Sequence, residues 1–209
     1  MDGRRQRGDR TRGAVAARAA ALASVDGLAG MTISQLADAL DVSKSSIQAA
    51  YRTKEEIQLA AVGAATEIFV TSVVTPTLDT PEGLPRLHAL VDSWLAYVER
   101  RVFPGGCFMV ATLAEFDSRP GPVRDALARA RRGWLRVLEQ QAAIAQQAGD
   151  LADPPTAAMV AFEVDALLAA ANVARNLGDS DAPLTAARDL IDLRLAARPT
   201  PPKRRTAKR

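Results

Sequence analysis

The chain has 209 residues, enough for one compact domain or two small ones with a real core. Its 48% hydrophobic and 24% charged residues exclude a wholly disordered or collagen-like chain, and an apolar share rich in Ala and Leu with only 4% aromatics leans all-α. The net charge of +3 hides a segregation: residues 1–12 carry +3 and residues 199–209 carry +5, leaving −5 on the body, which suits nucleic-acid contact through the ends and equally suits solubilising tails.

One cysteine, Cys107, forms no internal disulfide, and one histidine, His88, leaves too few soft ligands for an ordinary zinc site. No uninterrupted apolar run approaches the ~20 residues that span a bilayer, and Met1 to Arg7 lead into no signal-peptide core. A protein of the reducing cytoplasm, without membrane, metal or cofactor, is expected.

In chain order, a basic arm over 1–12 is expected to be disordered. A first helix follows from about Asp9 to Val25, with Val15, Ala19, Leu22 and Val25 at helical spacing and Gly27 as its stop. Thr32 and Gln35 form a capping box for a short second helix through Leu36 and Leu40. Asp41-Val42-Ser43 leaves room only for a tight turn before a third helix, Lys44 to about Ala50, capped by Ser43. Thr53 and Glu56 open a fourth helix that runs towards Pro76. Thr80-Pro81 predicts the start of a fifth, with Leu84, Leu87, Val91, Trp94 and Val98 on one face. Beyond the break at Pro104-Gly105-Gly106 come helices from about Cys107 to Phe116, from the Pro120-Gly121-Pro122 turn to Ala148, from Asp153-Pro154 to Gly178, and from Pro183 to Ala197. The tail 199–209 has no apolar periodicity and is expected to be disordered.

Thr32 to Lys54 is the informative segment. Leu36, Leu40, Val42 and Ile47 give apolar positions on both sides of a turn, and Ala37 is small where two helices must cross closely. This is a helix-turn-helix pattern. Asp41 stands where the turn needs a left-handed residue, and Asp tolerates that conformation better than most. Arg10 to Ala61 resembles the DNA-binding domain of the TetR family of bacterial transcriptional regulators. The resemblance rests on Ala20, Leu22, Gly27, Thr32-Ile33 with Leu36-Ala37, Val42-Ser43-Lys44, and the run Tyr51 to Ile57. Further on, Phe103 to Phe108, Glu115-Phe116, Pro122 to Arg124, Trp134 and Ala148 to Leu151 resemble one branch of the family's ligand-binding domain. The chain departs from the family at Gln48, where members commonly carry tyrosine, and at Ala49-Ala50, where they carry aromatic or histidine residues.

The expected fold is all-α: a three-helix DNA-binding domain over 13–53, then a larger ligand-binding and dimerisation bundle over 54–198. Gln48 can pair with adenine and Ala49 can touch a thymine methyl in a major groove. Lys44 and Lys54 suit phosphates, with Thr32, Ser43, Ser45 and Ser46 adding hydrogen bonds beside their capping roles. Tyr51 joins the candidate DNA contacts, with packing between the third and fourth helices as the favoured role.

In the bundle, Trp94, Tyr97, Phe108 and Trp134, with Glu115 and Asn172 as polar anchors, are the candidates for an apolar ligand cavity, against plain core packing. Residues 157–177 are apolar around more than one face, which calls for a partner helix, most simply in a homodimer. The resemblance implies the same, with the last two helices of each subunit forming the interface, and an inducer pocket in the bundle. Glu115 and Asp117 point to different faces and form no paired-carboxylate site, and no nucleophile elbow or phosphate loop is present. The expected function is that of a non-enzymatic, ligand-responsive repressor binding a double-stranded DNA operator as a homodimer. The alternative is a nucleoid-associated protein without inducer, and an unrecognised helical enzyme stands third.

Overall fold

The computed structural model describes residues 2–153 and 155–196, with side chains from residue 10 onward. Among these the chain forms α-helices and no strand, in agreement with the Ala/Leu-rich composition. Helices α1 (Asp2–Gly30), α2 (Ile33–Leu40) and α3 (Lys44–Ala50) make the N-terminal unit. Helix α4 (Lys54–Phe69) lies against α1 and carries the chain into the bundle. The bundle comprises α5 (Leu84–Glu99), α6 (Phe108–Phe116), α7 (Pro122–Ala148), α8 (Ala157–Gly178) and α9 (Ala182–Leu195).

Local chemistry sets most boundaries. The Thr32–Gln35 capping box is complete: Thr32 Oγ1 accepts the Gln35 amide at 3.2 Å while Gln35 Oε1 accepts the Thr32 amide at 2.8 Å. At α4, Thr53 Oγ1 accepts the Glu56 amide at 3.1 Å, but the Glu56 carboxylate reaches one residue further back, to the Arg52 amide at 2.8 Å. The last turns before Pro76 widen into a π-helical segment, Val70–Val74, and tighten into a 3-10 turn, Thr75–Thr77.

Several boundaries differ from the sequence reading, among them α1, which runs on to Gly30 past a break at Gly27, and the following three. The basic arm expected to be disordered is helical from Asp2, as its Arg and Gln residues permit. Helix α5 starts at Leu84 and not at Thr80, because the Arg86 guanidinium gathers the carbonyls of Leu78 and Thr80 and the Gly83 amide donates to Gln141 Oε1 at 2.9 Å. That fixes 78–83 as a turn. Helix α8 starts at Ala157 with Thr156 as its cap, after a connection whose Ala152 and Pro155 carbonyls are both held by Gln146 Nε2. The tail 199–209 lies outside the described residues.

One continuous apolar core runs from Val15 and Ala19 in α1 through Leu36, Ile47 and Ile57 to Val164 and Leu195. Helix α6 packs on both α1 and α7, and α8 packs on α7 and α9. Two stretches, Lys54–Thr77 and Ala157–Gly178, are by length and composition apolar enough to cross a membrane. Each buries one side in this core, through Ile57, Ala61 and Ala65 and through Val160, Val164 and Leu168.

Candidate DNA interface and ligand cavity

Asp41 ends α2 in the left-handed region (φ 52, ψ 47), and the Val42 amide closes the turn on the Ala37 carbonyl at 3.0 Å. Ser43 then caps α3: its hydroxyl accepts the Ser46 amide at 3.2 Å and lies 2.8 Å from the hydroxyls of Ser45 and Ser46. Ile47 is the buried side chain of α3, so the helix turns Lys44, Ser45, Gln48 and Ala49 outward. Thr32, Ser43 and Ser46 are also exposed, at or near the starts of α2 and α3. These predicted residues are therefore all exposed, at the starts of α2 and α3 and along the side of α3 turned away from Ile47.

Two members of the predicted set stand apart. Tyr51 is only 7% exposed; its hydroxyl donates to the Arg12 carbonyl at 3.0 Å and the Arg12 guanidinium lies 5.1 Å from its ring centre. It ties the end of α3 to α1, the packing role the sequence favoured, and burial pushes its pKa above the usual phenol value. Lys54 is exposed, but its ammonium already donates to the Ala29 carbonyl at 2.6 Å, which terminates α1.

In the bundle a cavity of about 330 Å³ lies between α4, α5, α6, α7 and α8. Trp94 and Trp134, two of the candidate ligand residues, line it with Phe69, Cys107, Leu113 and Phe162. Its charged wall residues are Arg131 and Asp165, paired at 2.8 Å. A wider, more open groove of about 730 Å³ between α4 and α7 shares Phe69 and Trp134 with it. We regard the smaller cavity as the candidate ligand site, since five helices enclose it and an ion pair is present to orient a ligand.

The remaining predicted ligand residues do something else. Tyr97 and Phe108 are fully buried and line neither space; Tyr97 packs edge-on against Phe69 and Phe103, at centroid distances of 5.7 and 6.2 Å. Asn172 is 2% exposed, and its Oδ1 accepts the Cys107 amide at 3.0 Å, which anchors the start of α6 to α8. Glu115 leaves the cavity altogether: its two carboxylate oxygens accept the amides of Leu28 at 3.1 Å and Ala29 at 2.8 Å, at the end of α1. The helix is broken there by Gly27 (φ 74), a conformation that favours glycine, and a Cβ on Gly27 would lie 2.1 Å from the Glu115 carboxylate and displace it from these amides.

The Pro104-Gly105-Gly106 break is likewise a junction. The Gly105 amide donates to Ser24 Oγ of α1 at 3.1 Å, and its carbonyl accepts Asn176 Nδ2 of α8 at 2.8 Å. A Cβ on Gly105 would meet the Ser24 carbonyl oxygen at 1.8 Å. Sequence reasoning missed Arg131, Asp165 and Cys107 as cavity residues. The first two are ordinary helix-surface charges until α7 and α8 are brought together.

Cys107 caps α6 from within the cavity wall, and burial pushes its thiol up to about 11 despite the facing amides of Met109 and Val110. The outer face of α8 bears Met159, Phe162, Ala166, Ala170, Val173 and Leu177 at helical spacing, and that of α9 bears Ala186, Leu190 and Leu193. Leu177 is 85% and Leu193 75% exposed.

No curated protein matches the chain. Among solved structures, a TetR transcriptional regulator from Chloroflexus aurantiacus superposes with a TM-score of 0.83 at 24% identity, over 90% of this chain and 95% of that one. A TetR-family regulator from Cytophaga hutchinsonii gives 0.79 at 22% identity, over 90% and 94%. AibR in complex with isovaleryl coenzyme A and operator DNA gives 0.70 at 18% identity, over 90% and 100%. At these identities the likeness is one of fold. Residues 83–191, just over half of the chain, match the tetracyclin repressor-like C-terminal domain. That match, with the helix-turn-helix in front of it, places the chain in the TetR family: it is a DNA-binding transcriptional regulator, not an enzyme.

Proposed function

We propose that the protein is a homodimeric repressor that reads a pseudo-palindromic operator with α3 of each subunit and releases it when a small molecule fills the cavity beside α6. The observation that carries this reading is the double engagement of α6. Its cap Cys107 and its residues Met109, Val110, Leu113 and Ala114 wall the cavity, while Glu115, next in sequence, holds the end of α1. A ligand that shifts α6 thereby shifts a hydrogen-bonded support of the reading head.

The exposed apolar stripes of α8 and α9 support the dimer, since two such faces together form a four-helix contact. Phe162 and Ala166 belong to both the stripe and the cavity wall, so a second copy would cover the cavity from outside. Two heads set one helical turn apart, ~34–36 Å, meet successive major grooves, and a ligand that favours another separation lowers affinity. We place the protein in the cytoplasm, with its operator.

Selection of double-stranded DNA fragments by the purified protein tests the first half of this reading and should return an inverted repeat. Retention of fragments without sequence preference would instead favour a nucleoid-associated role. For the second half, a molecule that quenches the tryptophans should weaken operator binding by the factor by which operator weakens its own binding.

A further inference from the structure

The cavity does not end at its apolar wall. Through Leu113, Ala114 and Arg131 it adjoins a second concavity, of about 490 Å³, between α6 and the first half of α7. There Arg124, Arg131 and Arg132 stand together, with Asp117 as the acid among the lining residues. Arg124 and Arg131 are seven residues apart on α7 and so share a face, with Ala128 between them and Arg132 flanking it.

These guanidinium groups are incompletely used. Arg124 gives its Nε to the Asp117 carbonyl at 3.0 Å and keeps Asp125 at 3.6 Å, and Arg131 gives one amino group to Asp165. Arg132 is exposed and has no hydrogen bond or ion pair among the described residues. On the walls of the two joined spaces three cations stand against Asp117 and Asp165, with Asp125 outside the lining paired to Arg124, and Arg132 at the groove end keeps no acid partner among the described residues. The cavity end is apolar.

We propose that the ligand is an amphipathic anion, whose apolar tail enters the 330 Å³ cavity and whose phosphate or carboxylate head rests on Arg124, Arg131 and Arg132. The proposal rests on the reading of that cavity as the ligand site. At ~30 Å³ for each water-sized unit, the cavity holds about eleven such units, room for a hexyl tail. A planar guanidinium fork matches both head chemistries bidentately, and Arg131, at the shared wall, meets the atom where tail becomes head. A cation would face three like charges. A neutral tail would leave the arginine groove unused.

Titrating the full-length protein with 1-hexanol, hexanoate, hexyl phosphate and hexanoyl-coenzyme A, followed by the fluorescence of Trp94 and Trp134, tests this directly. The anionic probes should bind about tenfold or more tightly than 1-hexanol at low salt. The best of the three anions identifies the head as carboxylate, simple phosphate or phosphorylated carrier. The Arg124→Ala/Arg132→Ala protein, altered at two exposed helical positions, should lose that preference and still bind 1-hexanol. Equal binding of 1-hexanol and all anions overturns the anionic class, and a preference that survives in the double variant overturns the seat of the head on Arg124 and Arg132; either result leaves the cavity as the site. If no probe perturbs the tryptophans, the cavity reading falls and takes this proposal with it.

Discussion

Gln48 projects from the outward face of α3, where the family commonly has tyrosine, and is a side chain there that can make paired hydrogen bonds to one base. Gln48→Ala should therefore remove roughly 1–3 kcal/mol of discrimination at one base pair in each half-site, with non-specific affinity nearly unchanged. Comparing the sequences selected by the variant and by the wild type checks this; an unaltered preference at every position would remove Gln48 from the reading surface. Cys107 poses a different question. Its thiol stays protonated to about pH 11, above the ordinary value of 9, because ionising it would place a charge inside the wall of the cavity. The native protein thus holds this proton more tightly than the unfolded chain. The associated stability is whole below pH 9 and is lost as pH rises through 11. At pH 8, iodoacetamide should alkylate the folded protein far more slowly than the urea-unfolded protein, and similar rates would show that the wall opens readily.

At the scale of elements, α6 matters for what stands at each of its ends. Its start is tied to α8 through the Cys107 amide and Asn172, and its end is tied to α1 through Glu115. Glu115→Ala leaves the amides of Leu28 and Ala29 without these acceptors, a loss of about 1–2 kcal/mol for partly exposed groups. The larger expected effect is on response: a ligand should still quench Trp94 and Trp134, while its effect on operator affinity shrinks. Parallel fluorescence and DNA-binding titrations separate the two, and full retention of the ligand effect would place the coupling elsewhere.

None of these ties was legible in the sequence, although the elements they join were. The Thr32–Gln35 box, the Ser43 cap, Asp41 in the turn and the glycine stop after α7 announce themselves within three or four residues, because local chemistry fixes them. Glu115 and Leu28 are 87 positions apart, and Asn172 and Cys107 are 65 apart. A polar residue on a short helix reads as a ligand anchor until the fold supplies the amide it satisfies. Trp94 and Trp134 line the cavity, but Phe162, 61% exposed, stands on the outer face of α8, so a large aromatic in an Ala/Leu bundle does not by itself name a ligand residue. Tyr97 and Phe108 gave the same signal and are packing residues.

For the whole molecule, the apolar stripe on α8 and α9 predicts assembly. Leu193→Glu changes a 75%-exposed side chain, so it should leave the fold of a single chain intact while setting a charge against its counterpart in the partner. Sedimentation should show monomers in place of dimers, and operator affinity should fall because two half-sites are no longer gripped by one particle. A dimer that survives this change and Leu177→Glu together would move the interface off these helices.

The charge segregation supplies the last test, because it bears on how the protein meets DNA. Residues 2–9 extend helix α1, the helix that α3 packs against, and the sequence puts arginines at positions 4, 5 and 7 of that extension. Removing residues 1–9 should lower affinity for operator and random DNA alike and reduce the salt slope by ~0.9 for each phosphate no longer neutralised, with specificity nearly intact. Helix α9, after which the basic tail begins, packs on α5 and α8 in the bundle, so removing 199–209 should change both quantities much less. Salt titrations of the two truncated proteins on operator and on random DNA decide between them. A dominant effect of removing the tail would bring the C-terminus to the DNA and would favour binding driven by charge over recognition by the helix-turn-helix.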